Sequence, residues 1–79
     1  MKTARDQAYI RLQQLLIEER RKANLTQAEL SLRLKRPQSF VSKYERGERR
    51  LDVVEFGEVA DALSVSPLRF LEKLFREIS

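Results

Sequence analysis

The chain has 79 residues, room for one domain whose core is small enough to leave it marginally stable. It has no cysteine and no histidine, which excludes a disulfide framework, a thiolate or imidazole metal site and the usual neutral-pH acid–base residue. Its net charge of +4 is unevenly placed: residues 1–50 hold 13 Lys/Arg against 6 Asp/Glu, residues 51–79 only 3 against 6, and a clustered positive patch suits a polyanion.

The opening MKTARDQAYI lacks an apolar stretch after its basic start, which argues against a secretory signal. No run approaches the ~18 apolar residues that a membrane-spanning helix needs, so a soluble chain is expected. A first helix is predicted over 4–22, capped by Thr3 with Asp6 in its first turn. Leu12, Leu15, Leu16 and Tyr9 give its apolar stripe, and Asn24 suits its end because asparagine tolerates left-handed backbone. Thr26-Gln27-Ala28-Glu29 has capping-box spacing and opens a second helix that ends near Leu34. Lys35-Arg36-Pro37 then breaks the pattern, since proline disfavours helical geometry at Arg36.

A third helix follows over 38–46, with Val41 and Tyr44 inward and Gly47 ending it. Asp52-x-x-Glu55 starts a fourth over 53–63, burying Phe56, Val59, Ala60 and Leu63. Ser66 then caps a last helix that begins at Pro67, runs to about Glu77 and carries Phe70, Leu71, Leu74, Phe75 and Ile78. The expectation is an all-α, compact five-helix domain over 1–79, without strands, repeats or linkers.

The informative stretch is LTQAELSLRLKRPQSFVSKYERGERR, residues 25–50. Two short helices joined by a tight turn, the second followed by glycine, are what a helix-turn-helix requires: one helix braces, the other enters the major groove. Leu30, Leu34, Val41 and Tyr44 form the core between them. Gln38, Ser39, Ser42 and Lys43 are left on the outer face, where short or flexible polar side chains reach base edges.

With LTQAEL, RPQSFVSKYERGERR and ADALSVSPLRFL in register, residues 16–70 resemble the lambda-Cro/C1-type, or XRE, helix-turn-helix family of transcriptional regulators. The resemblance implies a lambda-repressor-like fold and binding to double-stranded DNA, with no cofactor, no metal and no enzymatic activity. Gln27 is implied to bond a phosphate and buttress the reading helix. Gln38, Ser39, Ser42 and Lys43 are implied to read bases, and Thr26, Arg36, Arg46, Arg49 and Arg50 to hold the backbone. A cytoplasmic, nucleoid-associated protein follows. The sequence departs from the family at Lys35, where glycine is usual, at Arg36, where an apolar residue fills the turn, and at Ser31, where alanine is expected at the helix crossing. Lys35 must therefore adopt an unfavourable φ, or the turn must shift.

Several positions keep alternatives. Phe40 either presses on a thymine methyl or sugar, or packs inward. Glu29 is a cap, Glu45 an ion-pair or loop-bonding residue, and Arg20-Arg21-Lys22 a solvated helix end rather than a DNA contact. In the last helix, Leu71, Leu74, Phe75 and Ile78 either complete the core or bury against a second copy, the dimer being favoured because one reading helix contacts too few bases. The competing function is a protein-interaction adaptor, such as an antitoxin holding its partner, although no long polar tail is present to wrap one. An enzyme is a poor third, with little room in so short a helical chain for a pocket.

Overall fold

Local hydrogen-bonding chemistry divides this chain into helices. The computed structural model describes residues 3–78, with α1 at Ala4–Lys22, α2 at Gln27–Arg33, α3 at Ser39–Glu45, α4 at Val53–Ala62 and α5 at Pro67–Ile78. No strand occurs among the described residues. The expected all-α, five-helix architecture is the one found.

The starts follow the sequence. Thr3 and Asp6, Thr26 and Glu29, and Asp52 and Glu55 each form a complete capping box, in which side chain and backbone satisfy each other reciprocally. Ser66 Oγ accepts from the Arg69 N–H at 3.3 Å and caps α5.

The ends obey a second rule. Asn24, Lys35, Gly47 and Ser64 follow α1 to α4 in left-handed backbone, at φ of 58°, 56°, 80° and 59°. At each, that residue's N–H and the next one reach back to carbonyls of the last turn, the Schellman arrangement. Lys35 thus takes the unfavourable φ and the turn does not shift. Ser64 does the same, which its sequence context had not signalled.

The core gathers Leu15 and Leu16 of α1, Leu30 of α2, Val41 and Tyr44 of α3, and Phe56, Val59 and Ala60 of α4. Phe70 of α5 meets Phe56 with ring centroids 5.3 Å apart and planes at 58°. Leu74 is only 5% exposed and closes this core from the floor of a groove between α1 and α5. Its neighbour Leu71 is half-buried, whereas Phe75 stays 58% and Ile78 39% exposed. Arg11 Nε donates to Glu77 Oε2 at 2.7 Å and ties α1 to the end of α5. No helix among the described residues is long and apolar enough to cross a membrane.

Candidate nucleic-acid interface

At seven residues, α3 is too short to hold its shape alone, so the rest of the chain must fix it. Val41 and Tyr44 anchor one side in the core. At its C-terminal end, Glu45 accepts from Arg20 Nε at 2.7 Å and Nη2 at 3.1 Å, and from Gln27 Nε2 at 2.8 Å. Arg20 Nη1 also donates to the Leu25 carbonyl at 2.8 Å, so one guanidinium joins α1, α3 and the loop before α2. The two charged side chains are 11% and 4% exposed, and a buried pair of this kind is costly to break from one side. Gln13 Nε2 donates to the Tyr44 carbonyl at 3.1 Å, next to the Gly47 turn.

This fixing leaves Gln38, Ser39 and Lys43 exposed at the start and outer face of α3. Ser42 is half-buried, with its Oγ donating to the Ser39 carbonyl at 3.0 Å. Phe40 is buried and meets Tyr44 edge-on at 5.6 Å, so of its two alternatives the ring takes the inward one and is withdrawn from any base. The guanidiniums of Arg36 and Arg49 lie over that ring, 5.0 and 4.9 Å from its centroid.

Both of these arginines also face Glu55. Arg49 clasps its carboxylate with two bonds of 2.9 and 2.5 Å, and Arg36 lies 3.7 Å from it and 3.5 Å from Glu58. The Arg49 bonds, and then the Asp52 backbone N–H, hold the Glu55 carboxyl at about 2 instead of the usual 4.5. Arg36 and Arg49 therefore brace the α3–α4 junction as well as adding positive charge. Arg50 lies 4.2 Å over the Tyr9 ring, and exposed Arg46 pairs with Glu48 at 2.8 Å. A 220 Å³ cleft runs between Arg36, Ser39, Phe40, Lys43 and Arg49, a cationic recess beside the first turn of α3. The Thr26 hydroxyl is engaged with the Glu29 N–H.

Some contributors escaped the sequence reading. Arg20 read as part of a solvated helix end and instead holds Glu45, the ion-pair residue whose partner had not been named. Glu55 read only as a cap, yet its two oxygens also serve Arg49. The signal available was the helical register of Arg20 with buried Leu16, which places it on the edge of the inward face of α1.

A helix-turn-helix family model matches residues 16–70, and the geometry above fills that motif with a braced, outward-facing α3. This chain belongs to the XRE family of helix-turn-helix proteins. A solved structure described as an XRE-family like protein from Pseudomonas syringae pv. tomato str. DC3000 is 46% identical, covering 92% of this chain and 89% of that one, with a TM-score of 0.90. No curated protein matches. XRE-family regulators are DNA-binding and non-enzymatic, and this chain is a DNA-binding regulator of that family.

Proposed function

We propose that this XRE-family chain is a sequence-specific regulator that binds double-stranded DNA as a two-fold homodimer on a roughly palindromic operator. The observation that carries the reading is the row Gln38, Ser39 and Lys43, exposed on a helix that the buried Arg20–Glu45–Gln27 network holds rigidly. Preorganised donors lose little entropy on binding, which is what base readout needs. Gln38 suits adenine N6/N7 and Lys43 guanine O6/N7, with Ser39 and Ser42 as adaptable neighbours.

Thr26, Gln27, Arg46 and Arg50 contact phosphates on either side in this reading. Arg36 and Arg49 contribute there through their residual field, since Glu55 already takes much of their hydrogen-bonding capacity. The dimer face is the α1–α5 groove, 390 Å³ in volume, whose apolar lining includes Tyr9, Leu12, Leu71, Leu74 and the exposed Phe75, with Arg5 and Arg50 at its edge. Reading helices in such dimers lie about 34–36 Å apart.

Selection of bound sequences from a random duplex pool tests this. Two inverted half-sites about 10 base pairs apart are expected, and the Gln38→Ala variant should return a relaxed consensus at one position of each half-site. An unenriched pool would overturn sequence-specific recognition. A single half-site would overturn the dimer. Stoichiometric co-purification of another protein without DNA retardation would instead favour the adaptor role.

A further inference from the structure

Every described helix except α3 is capped at its start by a residue of its own flanking segment. Gln38, which precedes α3, has helical backbone at φ −54° and ψ −32° and makes no capping bond. The N–H that a cap would normally satisfy, that of Val41, is buried. Its partner comes from another helix: Ser31 Oγ, in α2, accepts from Val41 N–H at 3.3 Å and donates to the Gln38 carbonyl at 3.2 Å. The Ser31 carbonyl accepts from the Arg36 N–H at 3.0 Å, the wider-spanning of the two bonds in the Schellman turn around Lys35. One fully enclosed serine thus holds the end of α2, the turn and the first turn of α3.

We infer that Ser31 is a positioning residue for DNA recognition, acting as the N-terminal cap of the reading helix from the preceding helix and so leaving the Gln38 side chain free to address bases. Two physical points support it. A serine inside a helix usually bonds back to its own preceding turn, and this hydroxyl is turned across the helix crossing instead. A cap from Gln38, the residue that precedes α3, would have to spend the very side chain proposed to read bases, whereas a cap supplied from α2 costs the reading surface nothing. The arrangement also links the angle of α3 to α2, the helix that carries the proposed backbone contacts Thr26 and Gln27. Alanine, expected here from the family resemblance, fills the same space but can do neither.

This inference rests on the proposed reading of bases by α3, and its test separates the two. Ser31→Ala removes one atom from a closed site and keeps the packing. Well below the melting temperature, amide exchange at Val41 should rise about tenfold, with the α1 core amides of Leu15 and Leu16 unchanged. Binding to the best selected duplex should fall about tenfold, while binding to random duplex stays within about twofold. Unchanged Val41 exchange would overturn the cap. A faster Val41 amide with an undiminished preference for the selected duplex would overturn the positioning role, as would an equal loss on both duplexes. If the unaltered protein itself shows no sequence preference, the base-reading proposal fails, and the exchange measurement still decides the cap.

Discussion

Tyr44 carries the plainest unresolved cost in the chain. Its hydroxyl is enclosed with no hydrogen-bond partner, and burial pushes its ionisation well above the ordinary tyrosine range. The ring is needed, since it packs against Phe40 and closes the α3 side of the core. The oxygen is not. Tyr44→Phe should therefore leave stability unchanged or raise it by up to about 1 kcal/mol in urea unfolding, because an unpaired buried polar group is lost. A loss beyond about 1 kcal/mol would mean that the hydroxyl is satisfied by a buried water. Glu55 works in the opposite direction: its charge is wanted. With its carboxyl held at about 2 in the folded chain against 4.5 ordinarily, its contribution is fully present above pH 4.5 and is lost as pH falls towards 2. Melting temperatures measured across that window should fall with acid, and Glu55→Gln should lower stability at neutral pH while flattening this part of the profile. An unchanged acid limb in the variant would assign the loss to Asp6, Glu29 and Glu77, whose carboxyls are also held low.

Among the helices, the connections matter more than the helix interiors. Four of them end in the same left-handed geometry, but only one uses glycine there. Lys35 and Ser64 hold φ near +57° against the clash of their own Cβ, and left-handed backbone costs a residue with a side chain about 1–2 kcal/mol. Lys35→Gly and Ser64→Gly should each stabilise the fold, by somewhat less than that because glycine also gains freedom when unfolded. The change is readable as a higher denaturation midpoint at constant slope. No gain at either site would show that the side-chain stem is repaying its strain through contacts. Gly47 is the contrasting case. At φ +80° an added Cβ would also meet Gln13 Nε2 at 3.1 Å, in the amide that holds the Tyr44 carbonyl, so this glycine has two reasons to be there.

For the molecule as a whole, α5 divides between two duties. Its inward side, Phe70 and Leu74, completes the core, and two of its other apolar side chains, Leu71 and Phe75, line the α1–α5 groove. The two sets should respond differently to mutation. Leu74→Ala should cost about 2–5 kcal/mol of stability, a large share of what a small domain has. Phe75→Glu should leave the melting temperature of the dilute chain nearly unchanged, yet shift sedimentation towards monomer and weaken binding to a two-half-site duplex more than to a single half-site. If Phe75→Glu remains dimeric, the groove is not the dimer face.

Much of this protein was legible in its sequence because the decisive chemistry is local. Thr26 and Glu29 lie three residues apart and cap whatever helix they begin; Asn24 and Gly47 tolerate left-handed backbone wherever they sit. Apolar spacing put Val41 and Tyr44 inward and Gln38, Ser39 and Lys43 outward, and the motif over residues 16–70 named the fold. Tertiary structure decided the partnerships between elements, since no spacing rule connects Arg20 to Glu45, Arg49 to Glu55 or Ser31 to Val41. It also turned Phe40 inward beneath two guanidiniums and enclosed Leu74, because each had a choice of apolar surroundings that only the packed neighbours could settle. Local hydrogen bonds and periodicity depend on sequence distance alone; the cap of the reading helix depends on which groups the folded chain brings within three ångströms or so of one another.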